Sequence, residues 1–231
     1  RRSGRDDNLY IRDNEWEAVH TIWVWADASA SMLYKSDTAQ TSKQERALVL
    51  ALAMTEVMAR SGERVGYLGV TDPITHRQAA ERISAALIHQ VSAKEITFEG
   101  FPSTNSVRAH SDLIMVSDFL DPIDELLARL DSIASSNIRG HLVHVIDPAE
   151  ESFPYSGRMD FVDPERGVKL TAGRAQDWSQ DYVALFNARK EVLLRETTKR
   201  GWSYTVHHTD RPASEALVNL HMVMTHSGGS A

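Results

Sequence analysis

The chain contains no cysteine, so disulfide bonds and thiolate metal sites are excluded. This absence suits a reducing compartment, and we expect the protein to be cytoplasmic. An excess of basic charge is also lacking, because the formal net charge is -7 and basic residues alternate with acidic ones along the chain. Nucleic-acid-binding proteins usually carry a basic stripe, so we expect no nucleic-acid partner.

Long hydrophobic segments are missing as well. The longest fully apolar run, residues 47–54, is far shorter than the roughly 20 residues that a membrane span requires. The first residues, 1–7, are rich in charge and are not followed by the apolar core of a signal peptide. The sequence therefore predicts a soluble domain without a membrane span of its own.

What the sequence does contain is a regular alternation of strand-like and helical segments. Short apolar runs, several rich in β-branched and aromatic residues, alternate with segments of helical periodicity. This order predicts an α/β fold, in which a mainly parallel sheet carries helices on both faces. The predicted strands are Thr21–Ala26 and residues 65–70, 113–117, 142–146 and 202–206. The predicted helices are residues 42–60, 78–88, 122–135, 179–200 and 213–221.

Two segments depart from this alternation. Residues 10–16 are predicted to form an edge strand. Residues 153–175 hold two strand-like pieces around the sequence Asp163-Pro164-Glu165-Arg166-Gly167, whose composition is typical of a turn, which predicts a small β-hairpin insertion. No internal repeat or convincing domain boundary interrupts the chain, so we expect one domain over residues 1–231.

Three acids follow predicted strands directly, namely Asp27, Asp118 and Asp147. In open parallel sheets, ligands bind at the carboxyl ends of the strands, which is where these acids are expected to lie. Asp27 also begins an Asp-x-Ser-x-Ser loop that contains Ser29 and Ser31. Mg²⁺ prefers octahedral oxygen ligands, and two hydroxyls separated by one residue can point the same way from an extended loop. The sequence therefore offers Asp27, Ser29, Ser31 and Asp118 as a candidate Mg²⁺ site.

This candidate site has a simpler explanation and a chemical consequence. Aspartate and serine after a strand are also ordinary turn and helix-capping residues. If a cation does bind, the neutral hydroxyl ligands leave its charge under-compensated. The ion would then seek an acidic ligand from a partner protein.

The same loop resembles a known binding motif. The run Asp27-Ala28-Ser29-Ala30-Ser31-Met32 resembles the metal-ion-dependent adhesion site of von Willebrand factor A domains, and Val116-Ser117-Asp118-Phe119 resembles the later strand-end aspartate of that fold. Nearly the whole chain is similar to the bacterial family called domain of unknown function 58. The matching stretches are residues 46–52, 63–66, 117–120, 153–161, 201–202, 208–212 and 215–217. The resemblance implies a von Willebrand factor A-like fold, Mg²⁺ at the site, and a functional tie to MoxR-type AAA+ ATPases.

Two departures from the family pattern bear on the site. A-domains usually supply a metal-binding threonine from a separate loop, for which Thr71, Thr75 and Thr104 are candidates, although none lies in a recognisable motif. Family members also carry an aromatic, arginine-rich stretch before the first strand, whereas here Gly4 is followed almost at once by Asp7. The first departure predicts weakened metal binding.

We therefore predict a non-enzymatic protein-interaction module with a Mg²⁺-dependent site. Two alternatives stay open. One is a Mg²⁺-dependent phosphohydrolase or nuclease that uses Asp27 and Asp118 with Asp147, although hydroxyls stand where a phosphatase would place a second aspartate. The other is a structural scaffold with a vestigial metal site. A zinc pair from His141 and His144 is disfavoured, because residues three apart on a strand point to opposite faces.

Overall fold

The structure is a computed structural model that describes residues 20–93, 101 and 103–227. None of the helices in these residues is long and apolar enough to cross a membrane. The strands are β1 Thr21–Ala26, β2 Arg64–Tyr67, β3 Thr71–Ile74, β4 Asp112–Ser117, β5 Arg139–Ile146, β6 Met159–Val162, β7 Lys169–Ala172 and β8 Ser203–His208. The α-helices are α1 Lys43–Arg60, α2 Ala79–Ala93, α3 Ile123–Ser135, α4 Pro148–Ser152, α5 Ser179–Lys199 and α6 Ala213–Ser227.

The main sheet has six strands in the order β3-β2-β1-β4-β5-β8. All neighbouring pairs are parallel except β2 and β3, which are antiparallel. Strand β1 lies between β2 and β4, near the centre of the sheet. The predicted class, an α/β fold built on a mainly parallel sheet, is confirmed.

Helices cover both faces of this sheet because successive strand residues point to opposite sides. In β1, Ile22 and Val24 face the core under α1, α2 and α6. Trp23 and Trp25 face the other core, where α3 and α5 pack. The two tryptophans are therefore packing residues of the core.

The strand predicted over residues 65–70 is wrong in its second half. The chain ends β2 at Tyr67 and turns at Gly69, whose φ of 79° is a conformation that glycine adopts without strain. It then returns as the antiparallel edge strand β3. This strand contains Pro73, which an edge tolerates because one of its sides forms no ladder. Apolar content alone did not reveal the reversal.

One further departure follows β5, and one prediction stays untested. Helix α4 was not predicted, because it is only five residues long. The edge strand predicted over residues 10–16 lies outside the described residues.

The predicted hairpin insertion is present as the antiparallel pair β6 and β7. Its base packs on an aromatic cluster in which the Phe153 ring lies 5.6 Å from the Phe161 ring and 4.6 Å from the Tyr182 ring. Tyr182 belongs to α5, so the hairpin is fixed to the main body at its base. Its turn, Asp163 to Gly167, extends away from this cluster and is largely exposed.

Candidate functional site

The two acids at the centre of the predicted site lie at one edge of the sheet. Asp27 follows β1 and Asp118 follows β4, and these strands are parallel neighbours. The backbone N–H of Asp27 donates to the carbonyl of Val116 at 2.8 Å, which extends the β1–β4 ladder past the end of β1. The structure therefore brings these two residues together, as the strand-end argument requires.

Asp27 organises the loop that it begins. Its Oδ1 accepts the backbone N–H of Ser29 at 2.8 Å, and its Oδ2 accepts the hydroxyl of Ser117 at 2.6 Å. The side chain is 7 % exposed, and this burial raises the pKa of the Asp27 carboxyl even though both hydrogen bonds oppose the rise. A cation placed beside this carboxylate would favour its charged form.

The two loop serines present their hydroxyls as a pair. Ser29 Oγ lies 3.2 Å from Ser31 Oγ, and both residues are half-buried. Ligands at roughly 2.0–2.1 Å from an octahedral Mg²⁺ lie about 3 Å apart when they occupy neighbouring positions. The spacing of this pair therefore fits two adjacent ligands of one ion, and the chemistry of the donor set suits a hard cation.

Asp118 already has a cationic partner inside the protein. Lys43, the first residue of α1, is completely buried, and its Nζ lies 2.8 Å from Asp118 Oδ2 and 2.5 Å from Glu150 Oε1. Burial acts to lower the pKa of Lys43, but the two carboxylates outweigh it and raise that pKa. Lys43 is thus an ammonium ion that compensates much of the charge of Asp118 from the protein interior.

The backbone after Asp118 is held in an uncommon conformation. Phe119 has a φ of 47°, a backbone conformation that residues other than glycine rarely adopt. Its N–H donates to Ser117 Oγ at 2.9 Å, and its carbonyl accepts the guanidinium of Arg189 at 2.8 Å from Nε. Arg189 also donates to the carbonyl of Asp121. Since unusual backbone persists only where its surroundings hold it, these bonds fix the loop that carries Asp118.

The two strand-end aspartates and the two loop serines line an open cleft of about 620 Å³ between the sheet edge and the hairpin. One wall is formed by the two strand-end loops and the other by the hairpin turn. Across the cleft, the backbone N–H of Ser31 donates to Glu165 Oε1 at 2.8 Å. The lining residues are Asp27, Ser29, Ser31, Asp118, Leu120, Asp121, Pro122, Asp163, Pro164, Glu165 and Arg166.

Other predicted candidates lie elsewhere. The described residues that line the cleft do not include Thr71, Thr75 or Thr104. Asp147, the third strand-end acid, is fully buried as the capping residue of α4, where it accepts the N–H groups of Ala149 and Ser36, each at 2.9 Å. It is therefore a structural residue, and only two of the three strand-end acids face the cleft.

Three residues of the site were missed from the sequence. Lys43 and Arg189 lie on helices, far along the chain from the acids that they support, and no local pattern marks them. Glu165 was seen only as part of a turn. Its position opposite Ser31 follows from how the hairpin packs, which a turn signature does not specify.

Next to the site, His144 of β5 forms part of the core rather than a metal site. It is 1 % exposed, and its Nδ1 lies 2.6 Å from the hydroxyl of Tyr204. Burial lowers the pKa of His144 to about 3, and the charges of Lys43 and Arg189 act in the same direction against the opposite effect of Asp118. The ring is therefore neutral at pH 7.

This buried histidine predicts a loss of stability in acid. An unfolded histidine has a pKa of roughly 6.5, so folding favours the neutral ring, and His144 stabilises the protein fully only above that pH. Between pH 6.5 and pH 4 we expect its contribution to fall by about 1.4 kcal/mol per pH unit. Urea unfolding at pH 7 and pH 5 measures this slope. His144→Gln should flatten it, whereas the exposed-site control His76→Gln should leave it unchanged; equal slopes in all three proteins would contradict the assignment.

Comparison with known proteins places the fold and the family. BatB from Bacteroides thetaiotaomicron, a conserved hypothetical protein, is 17 % identical with a TM-score of 0.50, covering 91 % of this chain and 100 % of its own. An aerotolerance-related membrane protein from Bacteroides fragilis is 16 % identical, with a TM-score of 0.48 and coverage of 89 % and 98 %. The SpRpn10 VWA domain is 9 % identical, with a TM-score of 0.42 and coverage of 89 % and 96 %.

At this identity the likeness to BatB shows a shared fold alone. No curated protein matches the chain. The family described as "Protein of unknown function DUF58" matches residues 1–192 of the 231, which is well over half of the sequence. The resemblance drawn from the motifs is thus confirmed, and the chain belongs to the DUF58 family.

Proposed function

We propose that this protein is a protein-interaction module whose cleft binds a partner through a Mg²⁺-dependent, adhesion-type site. The observation that carries the proposal is the pair of hydroxyls on Ser29 and Ser31, 3.2 Å apart, beside the strand-end carboxylates Asp27 and Asp118. Ser29 and Ser31 would ligate the ion directly, and the two aspartates would support it. When bound, Mg²⁺ would supply a Lewis-acidic centre for a carboxylate oxygen.

The residues of the chain then have separate roles. Asp27 shapes the loop by accepting Ser29 N–H, and Arg189 holds the backbone after Asp118. The cleft leaves the two serine hydroxyls accessible, since both residues line it. A partner that contributes an aspartate or glutamate would complete the site, because hydroxyl ligands leave the charge of the ion largely uncompensated.

The family resemblance supplies a candidate for the partner. It implies a tie to MoxR-type AAA+ ATPases, and we propose an ATPase of this type, with both proteins in the cytoplasm. A purified ATPase retained on the immobilised protein in Mg²⁺, and released by EDTA or by Asp27→Ala, would support this assignment. Retention that ignores both treatments would contradict a metal-dependent contact.

The enzymatic alternative finds less support in the geometry. Two-metal phosphoryl transfer needs several carboxylates that hold two ions about 3.5–4 Å apart. Asp147 is used as a helix cap, and Lys43 occupies one oxygen of Asp118. Among the described residues, no three histidine or acidic side chains form a group that could hold a metal ion. The site therefore suits ligand binding better than hydrolysis.

A scaffold with a vestigial metal site is the second candidate, and one observation favours it. The Lys43 ammonium compensates Asp118 without any bound ion, and none of the candidate threonines lines the cleft. With less negative charge and one ligand fewer, the site would bind Mg²⁺ weakly. The two candidates differ in whether the serine hydroxyls bind metal at all.

Calorimetric titration with Mg²⁺ and Mn²⁺ tests this difference. Mutating a residue that hydrogen-bonds to a metal ligand typically lowers metal affinity by roughly 10–100-fold. The variant Ser29→Ala/Ser31→Ala removes two direct ligands, so we expect it to bind Mg²⁺ about 100-fold more weakly or worse. The matched control is Ser135→Ala/Ser136→Ala, which removes two exposed serine hydroxyls at the end of α3 and should bind as the wild type does. If all three proteins bind metal with equal affinity, or if the wild type binds none at high millimolar concentrations, the metal-site proposal is rejected and the scaffold interpretation is favoured.

A further inference from the structure

The hairpin turn places a carboxylate of the chain itself at the candidate site. Glu165 is exposed at the tip of the hairpin, yet its Oε1 accepts the backbone N–H of Ser31 at 2.8 Å across 134 residues of sequence. Ser31 also carries one of the two hydroxyls that the proposed function assigns to the metal. A carboxylate therefore already contacts the loop at which an acidic partner residue is expected.

The turn presents this carboxylate in a fixed shape. Asp163 Oδ1 accepts the N–H groups of Glu165 at 2.9 Å and of Arg166 at 3.2 Å. The backbone of Asp163 is bonded to Val168 and to Gly167, each at 2.8 Å, so the turn is closed by its own residues. It needs no support from the main sheet to keep its form.

Apolar packing anchors the hairpin to the main body at its base, whereas its tip contacts the cleft through the Glu165 carboxylate. Its base is held by the aromatic cluster around Phe153 and Phe161, whereas Val162 and Val168 on either side of the turn are 59 % and 60 % exposed. Because the base would stay packed, the tip could leave the cleft without unfolding the hairpin. The contact at Ser31 is thus one that a competing ligand can replace.

From these contacts we infer that the Asp163–Gly167 turn is a tethered ligand of the cleft, and that the partner segment is a peptide that presents a carboxylate in place of Glu165. This inference rests on the proposed function in one respect, namely that the cleft is where a partner binds. It adds a competitor within the chain, Glu165, which the carboxylate of the partner must displace. The fraction of molecules with the tip displaced then sets the apparent affinity.

A peptide that copies the turn provides the probe. The peptide contains residues 161–170 cyclised head to tail, and its control carries Glu165→Gln. Binding is followed by the amide resonance of Ser31 in two-dimensional NMR spectra of the wild type, of Glu165→Gln and of the exposed-site control Glu191→Gln, each in Mg²⁺ and in EDTA. Because Glu165 is exposed and glutamine keeps its shape, the remaining resonances should confirm an unchanged fold.

We expect the peptide to shift the Ser31 resonance and to bind Glu165→Gln about three- to tenfold more tightly than the wild type or Glu191→Gln, since the internal competitor is weakened. The control peptide should not bind. Equal affinity for the three proteins, or no effect on Ser31 in any of them, would overturn the tethered-ligand inference. If the peptide binds Glu165→Gln more tightly in both Mg²⁺ and EDTA, the tethered-ligand inference stands and the Mg²⁺ requirement of the proposed function is rejected. If the peptide binds only in Mg²⁺ and with equal affinity for all three proteins, the Mg²⁺ requirement stands and the tethered-ligand inference is rejected.

Discussion

Lys43→Met is expected to lower the free energy of unfolding by about 3–5 kcal/mol, the range found when one partner of a buried ion pair is removed. The Lys43 ammonium is buried between Asp118 and Glu150, at 2.8 Å and 2.5 Å from their oxygens. Methionine has a similar length, so the packing changes little while the buried carboxylate of Asp118 and the half-buried carboxylate of Glu150 lose their counter-ion. Urea unfolding of the variant at pH 7 measures the loss.

Two further variants separate charge from packing. Lys35→Met changes an exposed lysine nearby in the chain and should cost no more than about 0.5 kcal/mol. Combining Lys43→Met with Asp118→Asn and Glu150→Gln removes all three charges, and we expect it to recover much of the lost stability, because a neutral replacement of a buried ion cluster is often tolerated. A loss of less than about 1 kcal/mol in the single variant would contradict the account.

The same variant has a pH signature that packing loss would not produce. Burial raises the pKa of Glu150 even with Lys43 present, and removing the ammonium raises it further. A carboxyl whose pKa is higher in the folded than in the unfolded protein stabilises the folded state at low pH, and this stabilisation is lost as the pH rises through the folded pKa. The difference in free energy of unfolding between the wild type and Lys43→Met should therefore become smaller as the pH is lowered from 7 to 5.

Periodicity and strand-end logic located the sheet and the two acids because both depend on local sequence. Thr21–Ala26 is a run of six apolar or β-branched residues with a helix signal soon after it, so its place in a buried strand followed directly. Asp27 and Asp118 then had to share an edge once their strands were parallel. The capping box of α1, in which Ser42 and Glu45 exchange hydrogen bonds, depends equally on local sequence, because it needs only a three-residue spacing.

Lys43 could not be predicted because its role depends on packing rather than on pattern. A lysine at the first position of a helix is ordinarily exposed, and the helix N-terminus does not favour a cation. Here α1 approaches the ends of β4 and β5, so that the side chain passes between Asp118 and Glu150. The compensation of Asp118 from within the protein is therefore a property of the fold that local sequence does not carry.

In the hairpin, too, the local sequence predicts the turn, whereas its contact with the cleft depends on packing. Its turn was readable from Asp163-Pro164-Glu165-Arg166-Gly167, since aspartate, proline and glycine have fixed uses in turns. The contact between Glu165 and Ser31 depends instead on the angle at which the hairpin leaves its aromatic base. Residues separated by 134 positions meet there, and no spacing rule connects them.

A second large effect is expected in the core from Gly140→Ala, which should cost about 3 kcal/mol, at the upper end of typical overpacking penalties. Gly140 lies in β5, and a Cβ built on it would approach Cε3, Cζ3 and Cδ2 of Trp202 at 2.3, 2.6 and 2.7 Å. These distances are far below van der Waals contact. The Trp202 ring is 8 % exposed and packs in the core under α3 and α5, so it has little room to move.

Thermal unfolding measures this cost against a matched glycine. Gly173→Ala adds the same methyl group at a position where no atom lies within 4 Å, and it should leave the midpoint nearly unchanged. For a chain of this size, about 3 kcal/mol corresponds to a fall of roughly 6–12 °C in the midpoint of Gly140→Ala. In a Trp202→Leu background the smaller side chain leaves space for the methyl group, so adding Gly140→Ala should cost less than about 1 kcal/mol. If the penalty is the same with and without the indole ring, the contact with Trp202 is not its cause, and strain within β5 itself must be responsible.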